Sequence, residues 1–168
     1  MFNRLKYIET RIVFAEIPDE ITLAINITNC PIHCPDCHSK YLWKNSGKYL
    51  TKRFLNNIIN KQKGITCVCF MGGDKNPRYI NRLGKFIHNK FNHTIKVGWY
   101  SGKSILSNKI SLCYFDYIKL GPYVKELGPL NFKGSNQKLY EHIKFNTGLS
   151  NEYEWKDITN KLWDDKSK

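Results

Sequence analysis

The chain has 168 residues, 41% of them hydrophobic, with 27 Lys and Arg against 14 Asp and Glu, a net charge of +13. That length suits one domain with a core large enough to stand without covalent staples. No apolar run reaches the roughly 20 residues that cross a bilayer, and Met1–Thr10 hold no apolar stretch of a signal peptide. A cytoplasmic protein is therefore expected, with reduced thiols, in which clustered cysteines signal metal or catalysis before disulfides.

The first clear element is Ile21–Thr28, ITLAINIT, where Ile21, Leu23, Ile25 and Ile27 alternate in strand period. A cysteine-bearing loop follows. The segment from Thr51 to Gly64 places Phe54, Leu55, Ile58 and Ile59 on one helical face, with Thr51 as N-cap and Gly64 as stop. Ile65–Met71 is apolar on both faces, as a buried parallel strand is. Asn76-Pro77 opens a second helix, with Tyr79, Ile80, Leu83, Phe86 and Ile87 facing inward. Strands are predicted at TIKVGWY, ending at Tyr100, and at YFDYIKL, ending at Leu120. This order predicts an α/β fold built on right-handed parallel crossovers. Residues 132–140, FKGSNQKLY, read as a loop, and Trp155, Ile158, Leu162 and Trp163 predict a short amphipathic helix in the tail 138–168.

The charge comes from 22 Lys and 5 Arg, scattered along the chain. Lys, Asn and Ile are all abundant, as an AT-rich coding sequence would give. Composition is therefore the first explanation of the charge, and nucleic acid is not expected as a partner.

Between the first strand and the first helix lies NCPIHCPDCHSKYLW, with Cys30, Cys34 and Cys37 spaced C-x3-C-x2-C. This loop, Gly72-Gly73-Asp74, Ser101-Gly102 and Gly121-Pro122 each follow the C-terminal end of a predicted strand. In parallel α/β sheets those ends share one rim, where ligand sites are built. Three thiolates on a 4Fe-4S cluster leave one iron open for a ligand, whereas a structural zinc site is closed by four ligands. The alternative, a basic zinc module that binds nucleic acid, uses Cys30, Cys34 and Cys37 with His33 or His38. Asp74 has two open roles, as a ligand for an ammonium group or as a cap for the helix that begins near Asn76. Cys67 and Cys69, two apart on one strand face, are small core residues. His88, His93 and His142 lack ligand spacing and are expected at the surface or at helix ends, and Trp99 is expected in the core.

These motifs resemble the radical S-adenosylmethionine enzymes. EIPDEITLAINITNCPIHCPDCHSKYLW, FMGGD, WYSGK, IKLGPY and FKGSNQ, spanning residues 16–137 in that order, are together similar to the activating proteins of anaerobic ribonucleoside-triphosphate reductases. The resemblance implies a single radical S-adenosylmethionine domain over residues 1–168, folded as a shortened, open (β/α) partial barrel of mainly parallel strands. It implies that Cys30, Cys34 and Cys37 ligate three irons of one 4Fe-4S cluster and that the amino and carboxylate groups of S-adenosylmethionine bind the fourth. Gly72, Gly73 and Asp74 would hold the methionine end, and Asp36, Cys37, His38 and Ser101 would lie along the rest of that cofactor. Asp36 stands where many members carry an aromatic residue, and Asp74 where Glu is more widespread. An external one-electron donor such as flavodoxin or ferredoxin would drive cleavage to methionine and a 5′-deoxyadenosyl radical. That radical would take a hydrogen from a glycine of the partner reductase.

Overall fold

In the computed structural model, residues 4–146 and 151–163 are described. Strand β2 (Thr22–Ile27) and strand β4 (Cys67–Met71) are joined through helix α1 (Lys52–Lys61), and β4 and β5 (Lys96–Tyr100) through helix α2 (Pro77–Lys90). β6 (Tyr117–Leu120) then completes a parallel run β2-β4-β5-β6. Both helices start where side chains accept their free amides. Thr51 accepts from the Phe54 amide at 3.1 Å and Asn76 from the Tyr79 amide at 3.1 Å, each cap contributing about 1 kcal/mol.

The period-2 pattern sorts the parallel strands into two faces. Leu23, Ile25, Ile27, Val68, Phe70, Val97, Trp99 and Ile118 pack against Leu55, Ile59, Ile80, Leu83 and Ile87 of the helices in the main core. Cys67, Cys69, Tyr100 and Tyr117 point the other way and form a second cluster with Ile17, Leu139 and Ile158. Both helices therefore cover one face of the sheet, while the segment through Ile17 and the residues around Leu139 and Ile158 cover the other. Cys67 and Cys69 are fully buried, and the desolvation of that site pushes both thiols well up. They are core residues, as their spacing implied, and so is Trp99.

Four further strands lie outside that run. β1 (Lys6–Val13) pairs antiparallel with β2, and the two-residue β3 (Lys48–Tyr49) pairs with β1. β7 (Lys138–Asn146) and β8 (Asn151–Asp157) add antiparallel at the opposite edge. The fold is α/β, with a mixed sheet in the order β3-β1-β2-β4-β5-β6-β7-β8. It is not mainly parallel in its pairing, since only three of its seven strand pairings are parallel.

The tail corrects a second expectation. Glu152–Asp157 is strand, and only Thr159–Leu162 forms a short 3-10 turn. The sequence EYEWKD alternates charged and aromatic residues, and that period of two prevailed over the helical spacing of Trp155, Ile158 and Leu162. His142 is likewise a strand residue, stacked on Trp155 across the β7–β8 ladder at 4.8 Å. The tail positions 147–150 and 164–168 lie outside the described residues. Among those described, no helix is long and apolar enough to cross a membrane.

Candidate metal centre

The cysteine loop leaves β2 through Asn29, whose φ of 62° places it in the left-handed region that Asn tolerates. The Asn29 and Cys30 amides donate to the carbonyls of Lys44 and Leu42, both at 3.1 Å, so the loop returns to its own base. His33 is also left-handed, with φ 52°, and the Cys37 amide donates to the Cys34 carbonyl at 3.0 Å. The result is a tight wrap that leaves all three thiols free and half-buried.

Those thiols line one open cavity together with Met71, Gly72 and Asp74 from β4 and its turn. Tyr100 to Gly102, Lys119, Gly121, Tyr123 and Gln137 close it from the neighbouring loops. The convergence is built by glycines. A Cβ on Gly102 would stand 2.8 Å from Ile32 of the cysteine loop, and one on Gly121 would stand 3.1 Å from the Asn136 carbonyl. Only residues without a side chain let these loops pack so closely.

Asp74 is 5% exposed and does not cap α2, a role that falls to Asn76. Its carboxylate accepts from the Ser101 hydroxyl at 2.5 Å and the Gly102 amide at 3.0 Å. Ser101, itself buried, also accepts from the Lys103 amide. Facing this anion is a cation that the sequence motifs did not single out. Lys119 is 8% exposed and donates to the Gly121 carbonyl at 2.8 Å. Burial lowers its pKa to about 8, against the opposing pull of Asp74 and Glu16. In the sequence it is a lysine inside the apolar strand YIKL, on the same face as Tyr117 and two residues after it. Tyr100, Tyr123 and Gln137 join the site too without having been expected there, although the last two sit in the GPY and GSNQ motifs.

Other candidates fall differently. Gly72 and Gly73 both have φ of 97°. Gly72 lines the cavity, and a Cβ added there would meet nothing closer than 3.5 Å. Gly73 faces the protein, where a Cβ would stand 2.5 Å from Ile80, so its role is to let α2 close on the turn. The Gly72 carbonyl accepts from the Trp99 indole at 2.9 Å and that of Gly73 from the Asn76 amide at 2.9 Å. Asp36 and His38 are exposed and do not line the cavity. His38 lies 3.2 Å, Nε2 to hydroxyl, from Tyr123, which does. His33 stacks on Trp43 at 4.7 Å. Neither loop histidine joins the three thiols in the cavity. Among the described residues, no three His, Cys, Asp or Glu side chains gather closely enough for a single metal ion.

The donor chemistry fits an iron-sulfur cluster. The Ser39 amide donates to Cys37 Sγ at 3.3 Å, and at Cys30 the nearby Ile32 and His33 amides favour the thiolate against the burial that pushes this thiol up. Amide donors of this kind stabilise cluster thiolates and tune their potential. A fold and loop of this sort define an iron-sulfur protein. A model of the family described as a 4Fe-4S single cluster domain matches residues 21–140, and the chain belongs to that family. Neither curated proteins nor solved structures gave a match.

Proposed function

We propose that this iron-sulfur protein is a radical S-adenosylmethionine enzyme that generates a glycyl radical on an anaerobic ribonucleoside-triphosphate reductase. The observation that carries the reading is that three free thiols share one cavity with a buried carboxylate and a buried ammonium. Cys30, Cys34 and Cys37 hold the cluster, which when bound supplies a single electron at an open iron. Asp74 and Lys119 oppose each other as an amino acid zwitterion requires, Asp74 toward its ammonium and Lys119 toward its carboxylate. Ser101 and the Gly102 amide fix the Asp74 carboxylate in that position. The bare backbone at Gly72 leaves room for the methionine end, and Tyr123, held by His38, flanks the remainder.

Stoichiometry follows from this reading. Overall, one electron from an external donor, one S-adenosylmethionine and one hydrogen from a partner glycine would give methionine, 5′-deoxyadenosine and the stored glycyl radical. The parallel strands β2, β4, β5 and β6 with α1 and α2 are then a segment of an open (β/α) barrel, whose missing side admits a protein substrate.

Anaerobic protein is expected to hold about four irons and matching sulfide per chain, to cleave S-adenosylmethionine under reduction, and to raise a glycyl radical signal when mixed with the reductase. Cleavage without that signal, alongside turnover of a small substrate, would refute the activase role while leaving the cofactor chemistry intact. One zinc and no iron after attempted reconstitution would refute both.

A further inference from the structure

The positive charge of this chain is segregated. Residues 38–115 carry fifteen Lys and Arg and one carboxylate, Asp74, which is buried in the cavity. The remaining residues carry twelve cations against thirteen carboxylates. An AT-rich coding sequence raises Lys, but the Asp and Glu codons GAT and GAA are AT-rich too, so it does not strip carboxylates from one segment. Neither α1 nor α2 has an acid in its first turn. Lys52, Arg53 and Arg78 stand there instead, at helix ends whose dipole favours anions.

Folding gathers these cations into a track. One surface depression is lined by Lys52, Arg82, Lys85 and Lys90, with Phe86 and Asn89. A second, lined by Arg4, Lys52, Arg53 and Arg82 with Tyr79 and Leu83, shares two residues with the first. A third continues from Arg4 past Lys6 and Lys75 to Asn29 and Asn45, behind the cysteine loop. Three of the chain's five arginines line the middle depression, a cluster invisible in the linear sequence. No carboxylate lines any of the three among the described residues. The ion pairs made by Arg11, Lys96, Lys138 and Lys161 lie elsewhere. Phe86 and Tyr79 supply half-buried aromatic rings beside these cations, with the Lys52 ammonium 5.5 Å from the Phe86 ring centre.

We infer that this track binds single-stranded nucleic acid through its phosphate backbone, independently of sequence. A basic groove with aromatic rings on which bases stack is how such strands are held. Asn29, Asn45, Asn89 and Thr51 add uncharged donors suited to phosphate oxygens. A docking site for a protein would have a centre depleted of lysine, the reverse of what lines these depressions. α2, 14 residues long, spans about 21 Å, enough for the shorter sites of roughly 4 nucleotides. The inference is independent of the radical chemistry, since none of these cations lines the thiol cavity.

The test is fluorescence anisotropy of the anaerobically purified chain with a labelled oligothymidylate of about 16 nucleotides. Contact with about five phosphates gives a log–log salt slope near −3.5, or roughly a hundredfold weaker binding at about 200 mM than at about 50 mM salt. The double reversal Arg53→Glu/Lys85→Glu is expected to weaken binding at least about tenfold, and Lys125→Glu/Lys133→Glu, of equal charge change, less than about twofold. Unchanged circular dichroism and iron content confirm that both variants fold. Equal losses in the two variants would reduce the effect to net charge and overturn the site. Polyglutamate competing as well as the oligonucleotide would reassign the track to an acidic protein. Absence of binding at low salt would also overturn it.

Discussion

Replacing Lys119 by methionine keeps the length of the side chain and removes its charge. In the folded chain burial lowers the Lys119 pKa from 10.5 to about 8. A folded-state value below the unfolded one means that the unfolded chain binds this proton more tightly, so the ionised lysine opposes folding. The penalty is full below about pH 8 and disappears as pH rises toward the unfolded value of 10.5. At 1.36 kcal/mol for each unit, it amounts to roughly 3 kcal/mol. Loss of the hydrogen bond to the Gly121 carbonyl returns about 1 kcal/mol, so Lys119→Met should be stabilised by about 2 kcal/mol near neutral pH. The assay is urea unfolding of cluster-free protein, wild type and variant, at several pH values between 7 and 10.5. The difference in midpoints, about 1 M for a slope near 2 kcal/mol/M, should be constant up to about pH 8, then shrink and reverse toward pH 10.5, where only the lost hydrogen bond remains. The same variant should bind S-adenosylmethionine at least tenfold more weakly once reconstituted, a gain in stability with a loss of function. A variant less stable than wild type at pH 7, or a midpoint difference that ignores pH, would refute the burial argument.

Cys34→Ala should lose cluster iron and cofactor cleavage while its cluster-free fold stays within about 1 kcal/mol of wild type, because the half-buried thiol contributes little to the sheet; iron analysis with circular dichroism checks both. The adjacent glycines should separate. Gly73→Ala drives a methyl into Ile80 and should lose about 3 kcal/mol in denaturant unfolding. Gly72→Ala bears only backbone strain of about 1–2 kcal/mol but should raise the KM for S-adenosylmethionine. Glu20 is pushed up by burial, yet hydrogen bonds from Lys96, Thr66 and Tyr117 outweigh that and leave its pKa below the usual value. Its stabilisation is therefore present above the ordinary carboxylate range and lost as pH falls through the folded value. Glu20→Gln should lose about 1–2 kcal/mol at pH 7 and show a shallower decline on acidification, read from thermal unfolding against pH.

The parallel run was legible because β2 alternates, β4 is apolar on both faces, and both helices carry a strong period with a cap at each start. The antiparallel edges were not. β1, KYIETRIV, buries none of its residues, so its sequence shows no clear inward face, and what holds it is pairing with β2. β8 alternates, but its Trp155 also falls in helical spacing with Ile158, Leu162 and Trp163 beyond the strand's end. At the site, the three cysteines and the Gly-Gly-Asp turn stood out because loops after strands have few structural reasons for such residues. Lys119 was hidden by being inside a strand, where lysine is usually read as solvated. The track of arginines was hidden for a different reason: Arg4, Arg53 and Arg82 are brought together only when β1, α1 and α2 pack.

The two ends of the parallel strands show why one polar cluster is structural and the other is a site. At the N-terminal ends, Glu20 accepts from Thr66 at 2.5 Å, Lys96 at 2.6 Å and Tyr117 at 2.7 Å. Burial first, then the neighbouring Glu20, pushes the Tyr117 phenol well above its usual range, so it remains a donor. Every member has a partner of opposite character, and such a closed network rigidifies a fold without inviting a ligand. At the C-terminal ends the same strands end in left-handed glycines, three free thiols, a buried carboxylate and a lysine that opposes folding. These are local departures from what stability alone would select, and they concentrate in one cavity. Strain and buried charge of this kind persist where they serve a site. If that is why Lys119 is there, the variant that stabilises the fold must be the one that loses the cofactor. A Lys119→Met protein that were both more stable and fully active would remove the functional reason for the charge.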